Sequence, residues 1–306
     1  MIARHRLALL AVAVLLPPAL RAAETQGADG PPLTELRLPW IEEAVPHDDD
    51  RPRIVVECLA DQAIRVLGND AVEMKVLDGP GRFAELSEAL EAETRGWETE
   101  SVPRASVGIP IDVGRGSIVV RTHGVLPFAS VQHLLAVGAS LETPVRNFEL
   151  ACRDAATLDD DTERALSATD TLEVCVPHAL PVDAPLEIAE GEVAPQEDVT
   201  LVIRVREKGS RIDPRTGGPA ADGEAWAYGD DRTLEYSLGP FRMTDLASVE
   251  DRLRKLRGPR ADERASSLRL VLDPRRGVTY GEALAAHQAL MSSGLGKGVE
   301  IAGSYE

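Results

Sequence analysis

The sequence predicts an α/β protein of α+β, two-layer type, built as two tandem repeats, each a small mixed sheet with two helices packed on one face. Three observations predict it. Apolar runs of strand length alternate along the chain with stripes at helical spacing. The same order of elements occurs twice. A composition of 43% hydrophobic and 27% charged residues over 306 residues is enough for packed cores, and the length fits two ordinary domains rather than one small one.

In the first half, Ile54-Val55-Val56 reads as a buried strand, and Ile64 to Leu67 as its hairpin partner, closed by Gly68. Phe83, Leu86 and Leu90 have i, i+3, i+7 spacing and predict a helix. Ile118-Val119-Val120 is the next apolar strand. A second helix opens near Pro127-Phe128, with Phe128, Val131, Leu135 and Gly138 on one face, and Asn147 to Ala151 alternates like a closing strand.

The second half repeats this order. Leu201-Val202-Ile203 is a strand, Leu246, Val249, Leu253 and Leu256 form a helical stripe, and Leu270-Val271-Leu272 is the next strand. Tyr280, Leu284, His287 and Met291 then share a helix face, and Val299 to Ala302 closes the unit. Val119 and Val271 stand 152 residues apart, as do Phe128 and Tyr280. The first strands are offset by 147 and the first helices by 163, differences that fall in loops, where insertions are tolerated.

The second copy carries extra length at 208–239, with a loop at Asp213-Pro214 and Gly217-Gly218-Pro219. There Ala225 to Tyr228, a turn at Gly229-Asp230-Asp231, and Thr233 to Leu238 predict a hairpin. The first copy carries its extra residues at 97–116. Thr279 and Glu282 have capping-box spacing at the start of the last helix, and Gly294 suits its left-handed stop. Pro127 stands where Thr279 does, so that cap has no counterpart in the first copy.

The N-terminus reads as an export signal. Arg4 and Arg6 precede the apolar run Leu7 to Leu16, Pro17-Pro18 breaks it, and Ala22 and Ala23 offer a cleavage site. The run is shorter than the roughly 20 residues that cross a bilayer, although Arg21 beside the cut leaves an uncleaved anchor open. No later stretch is long and apolar enough to cross. The expected organisation is a signal peptide at 1–23, a spacer and approach segment at 24–52, repeat one at 53–152, a linker at 153–171 and repeat two at 172–306.

Charge and side-chain chemistry exclude several functions. With 33 Lys and Arg against 51 Asp and Glu, the net charge of −18 repels phosphate backbones, so no nucleic-acid partner is expected. Aromatic residues, at 4%, are too few for a stacking platform. Cys58, Cys152 and Cys175 lack CxxC spacing, and one disulfide with a spare thiol or three buried thiols both remain open.

His47 with Asp48 to Asp50, and Asp159 to Asp161, lack the spaced ligands and turn glycine of a calcium loop and read as solvated acidic runs. His123 ends a strand, His133 lies on the polar side of a helix, His287 matches Leu135 as a partly buried packing residue rather than a base, and His178 sits in a Pro-rich approach. None has a nucleophile elbow to serve. Asp78-Gly79-Pro80-Gly81 is a turn without phosphate-loop spacing, and Gly294 with Gly296-Lys297-Gly298 lies at the wrong end of a helix for an anion. Trp226, Tyr228 and Tyr236 are expected as an aromatic cluster that is a contact surface or covers the other lobe. No catalytic, cofactor-binding or metal residues are assigned, and no enzyme activity or cofactor is expected.

The order of elements resembles the periplasmic domain of the ExbD/TolR family. The resembling run in copy two is Leu268 to Ala302, with Asp273, Val278 and Tyr280 at the marked positions. In copy one it is Ile118 to Ala151, where Val125 or Leu126 and Phe128 match and Arg121 replaces the Asp. Leu38-Pro39 and Val176-Pro177 precede the two copies in the same relative place. The resemblance covers most of 36–151 and 172–302.

It implies a cell-envelope or periplasmic protein related to biopolymer transport, with envelope proteins or peptidoglycan as partners. The family's proton coupling rests on an aspartate in a transmembrane helix, and residues 7–20 contain no acidic residue. The expectation is therefore a non-enzymatic binding or scaffold protein, monomeric, with its two repeats paired within the chain as that family's domains pair. Alternatives are an exported hydrolase whose site converges only in three dimensions, or a membrane-anchored accessory subunit of an ion-driven transport complex. If the N-terminal reading is right, the intact mass of the protein recovered after export will correspond to a start just after Ala22 or Ala23. Recovery of the full-length mass in the membrane fraction would instead establish the anchor.

Overall fold

β-branched runs bounded by turn residues form two mixed sheets in the computed structural model, which describes residues 38–41, 51–59, 63–67, 74–77, 81–102, 110–154, 163–168, 197–213, 218–221, 227–229, 231–257, 268–295 and 299–302. The first sheet contains β1 (Trp40–Ile41), β2 (Arg53–Cys58), β3 (Ile64–Leu67), β4 (Met74–Leu77), β5 (Thr99–Val102), β6 (Ile111–Thr122), β7 (Val145–Asp154) and β8 (Glu163–Ala168). Its path is β1-β7-β6-β2-β3-β4, with β5 on β6 and β8 on β7. Helices α1 (Arg82–Thr94) and α2 (Ala129–Ala139) pack on it and on each other.

The second sheet contains β9 (Glu197–Glu207), β12 (Thr233–Leu238), β13 (Phe241–Met243), β14 (Leu268–Pro274) and β15 (Val299–Ile301), with helices α3 (Leu246–Arg257) and α4 (Tyr280–Ser292). Its order is β13-β12-β9-β14-β15. A separate ribbon joins β10 (Arg211–Ile212) to β11 (Ala227–Tyr228).

The strands shared by the two sheets run in the same senses. β2, β6 and β7 are parallel, as are β9, β14 and β15, while β3-β4 and β12-β13 continue antiparallel. Ile54 pairs with Ile118 and Val199 with Leu270, so the first strands correspond at an offset of 145 rather than 147. A two-residue slip leaves every side chain on its own face, so the expected buried face is unaffected.

Packing follows the predicted faces. Ile54 and Val56 of β2, Leu86 and Leu90 of α1, and Val131 and Leu135 of α2 are all buried in one continuous core. Leu201, Ile203, Val249, Leu253, Leu284 and Ile301 extend the same core through the second half. Cys58 and Cys152 are buried thiols on its strands, not joined to each other, and burial pushes the Cys58 thiol up to about 12. Cys175 lies outside the described residues.

On the opposite face of the first sheet, Leu38 covers Val119 and Ala151 beside Val55. Glu57 lies there 3.4 Å from Arg65 and 3.5 Å from Arg121. At the position 152 residues on from Arg121, Asp273 lies 2.7 Å from Arg275.

Several expectations need correction. Thr233 to Leu238 does not form a hairpin with Ala225 to Tyr228: β12 pairs with β9 and β13, whereas β11 pairs with β10. The reason is burial. Tyr236 and Leu238 alternate apolar-inward and are only 5% and 4% exposed, which demands a place over the helices. The expected aromatic cluster is thereby divided, since Tyr236 is core, Tyr228 is half-buried and Trp226 lies outside the described residues.

Strands β4, β5 and β8 were not anticipated. β8 falls inside the segment expected as a linker, 153–171, and pairs antiparallel with β7. The segment expected as a signal peptide, the expected spacer as far as Arg37, and Val176-Pro177 lie outside the described residues. Among the described residues no helix is long and apolar enough to cross a membrane.

Local helix signals hold. Thr279 and Glu282 form the full capping box of α4, and Gly294 stops the chain at φ 62°. Phe128 and Tyr280, at 1% and 0% exposure, are the largest side chains at the starts of α2 and α4. Phe128→Ala and Tyr280→Ala should each cost about 3–5 kcal/mol of unfolding free energy in urea titration. A loss below about 1 kcal/mol at either position would contradict this packing.

Candidate functional site

A helix begins with backbone N–H groups that have no partner inside the helix. In this protein those of α2 and α4 are met across the boundary between the halves. Matching turns precede the two helices: Leu126 N donates to His123 O at 3.0 Å, and Val278 N to Arg275 O at 3.1 Å. The turns then exchange bonds. Phe128 N donates to Val278 O and Tyr280 N to Leu126 O, both at 2.8 Å, around an antiparallel bridge of Pro127 and Thr279.

Pro127 and Thr279 map onto each other under the 152-residue offset, and the same offset turns the Phe128–Val278 bond into the Tyr280–Leu126 bond, as an approximate two-fold axis through Pro127 and Thr279 requires. The Phe128 and Tyr280 rings lie across it with centroids 6.2 Å apart and planes 19° apart.

Gly281 N donates to Gly124 O at 2.8 Å. A Cβ on Gly281 would stand 3.1 Å from that oxygen, so a side chain there would need the facing turn to give by a few tenths of an ångström. With Thr279 and Glu282 capping one another, Tyr280 N and Gly281 N complete the satisfaction of the helix start.

The side chains extend the exchange to the carboxyl ends of the parallel strands. Tyr280 Oη donates to Ala151 O at 2.8 Å and lies 3.2 Å from Val120 O. Gln132 Nε2 donates to Ala302 O at 2.9 Å and Pro274 O at 3.2 Å. Ala151, within β7, and Ala302, just after β15, stand at corresponding positions of the two sheets, so equivalent carbonyls receive donors from different residue types. In open α/β sheets the crevice beyond the carboxyl strand ends is where small ligands bind. Here each half fills the other's crevice.

The insertion of the second half buttresses this seam. Arg232, 8% exposed, donates from Nε to Glu282 at 2.9 Å and from Nη2 to the same carboxylate, and its Nη2 lies 3.3 Å from Thr279 Oγ1. Its guanidinium also lies 4.8 Å from the centre of the Tyr228 ring. Burial raises the Tyr228 hydroxyl above its usual range, and the neighbouring Arg232, Arg211 and Arg276 charges oppose this. Gly277 turns at φ 96° under that ring, where a Cβ would stand 2.8 Å from the hydroxyl.

The sequence candidates do not converge. His123 is buried at the end of β6, and Val125 N lies 3.4 Å from its Nδ1. His133 is exposed, stacked on Phe83 at 5.0 Å, with Nδ1 2.9 Å from Ala129 O. His287 is buried in α4 at 1% exposure, more deeply than a partly buried packing role required. His47 to Asp50, Asp159 to Asp161, His178, Asp78 to Pro80 and Gly296 to Gly298 lie outside the described residues. Among the described residues no three His, Cys, Asp or Glu side chains are grouped to hold a metal. Sequence reasoning missed Gln132, Gly124 and Gly281. The one signal for Gln132 is a polar residue within the apolar run of its helix.

No family model, curated protein or solved structure matches this chain. The seam yields a test of its own. Tyr280→Phe keeps the ring and removes the donor to Ala151 O, and should cost about 1–3 kcal/mol in urea titration. Ser292→Ala, on the exposed end of the same helix, should stay within about 0.5 kcal/mol.

Proposed function

We propose that this is a non-enzymatic binding or scaffold protein of the cell envelope, in which two diverged copies of one ExbD/TolR-like unit pair within a single monomeric chain. The observation that carries this reading is the filling of both strand-end crevices, by Tyr280 on one side and Gln132 on the other. A catalyst on such a sheet needs that crevice open to substrate. The common strand order of the two sheets supports the duplication, and the two backbone bonds that the 152-residue offset interchanges support the pairing.

With the crevices filled, binding falls to the outside of the molecule, where the net charge of −18 favours partners that are not anionic polymers. By resemblance those partners are other envelope proteins or peptidoglycan, and export through the N-terminal signal brings the protein to them. Affinity-tagged protein crosslinked in envelope extracts should capture a defined envelope component and should elute as a monomer on its own. Turnover in a broad hydrolase screen, abolished by changing a single His or Asp, would replace this reading with an enzymatic one.

A further inference from the structure

The two-fold seam is not symmetric in its side chains, and the asymmetry follows a pattern. Under the 152-residue offset Tyr280 corresponds to Phe128, Gln132 to Leu284, Gly281 to Ala129 and Gly124 to Arg276. Each half therefore contributes one long-reaching donor and, at the other corresponding position, an apolar residue. The first half gives Gln132 with Phe128, and the second gives Tyr280 with Leu284. We propose that this seam is a recognition surface coded for unlike halves, so that the first half binds the second and rejects a further copy of itself.

Like pairings can be built from the same bonds by exchanging equivalent residues. In a pairing of two first halves, Phe128 occupies the place of Tyr280 and offers no hydroxyl, so the donor now directed at Val120 O is lost on both sides. Ala129 then occupies the place of Gly281, where a Cβ stands only 3.1 Å from the Gly124 carbonyl oxygen. In a pairing of two second halves, Leu284 occupies the place of Gln132, and the buried Pro274 carbonyl loses its side-chain donor twice.

Unmade hydrogen bonds at buried acceptors discriminate more sharply than small differences in apolar contact. The backbone exchange of Phe128 N and Tyr280 N is common to all three pairings, so it supplies attachment without selectivity. Tyr280, Gln132 and Gly281 supply the selectivity.

This inference rests on the pairing of the halves proposed above. The test uses the full chain carrying a protease site within 169–196 and cut after folding, in two batches with different tags that are then mixed. Light scattering on the eluted species should give a one-to-one complex of unlike halves, with no complex holding both tags on the same half. Gln132→Leu and, separately, Tyr280→Phe should each weaken the retained complex at least tenfold, with the uncut variants keeping the parent's circular dichroism.

Cut halves that separate outright would overturn the pairing as well as the code. Halves that stay associated but exchange freely into like pairs would overturn the code alone, as would both variants retaining parent affinity within twofold. Should one variant fail to fold uncut, the other decides. Capture of envelope partners is independent of every one of these outcomes.

Discussion

The constraint on which the structure depends is the supply of acceptors for the first N–H groups of two helices. α2 and α4 both start directly after a tight turn at the end of a parallel strand, where the chain has reversed direction and has no spare local carbonyl. Phe128 N, Tyr280 N and Gly281 N find theirs on the opposite turn. Burying the apolar faces of these helices is possible only because the adjoining polar groups are paired, since each orphaned backbone group in a dry seam costs on the order of 1–3 kcal/mol. The continuous core running through both halves is the consequence.

The two halves meet this constraint differently. α4 has a complete capping box, held by Arg232 from the insertion peculiar to the second half. α2 has Pro127 and Phe128 at its start and no side-chain cap, so it depends more on the Val278 carbonyl across the seam. The inserted ribbon thus has a structural role. Its Tyr228 lies against the Arg232 guanidinium, which bonds Glu282 and Thr279 at the start of α4.

The same arrangement limits what the protein can do. Parallel strand ends collect carbonyl dipoles and helix starts collect N–H dipoles, a polarity that usually serves a substrate or cofactor. Here Tyr280 and Gln132 spend that polarity on the fold itself. Histidines that might have formed a site are dispersed between a strand end, an exposed helix face and the core. The binding role on outer surfaces proposed above rests on this arrangement.

The sequence alone determined the mixed α/β class, the order of the main strands and helices, the buried stripes headed by Phe128 and Tyr280, and the capping box of α4. These are legible because hydrophobic period and cap chemistry act within a few residues of chain. It left β4, β5 and β8 unread, since their runs are short or polar and become strands only beside a partner already in place. It misassigned Thr233 to Leu238, whose alternation fits a hairpin or a central strand equally well until the face it must bury is known. Only the tertiary structure decided the role of Gln132, Gly124 and Gly281. Their partners lie 142 to 170 residues away, and although Gln132 stands out as a polar residue in an apolar run, nothing local names the carbonyl it reaches.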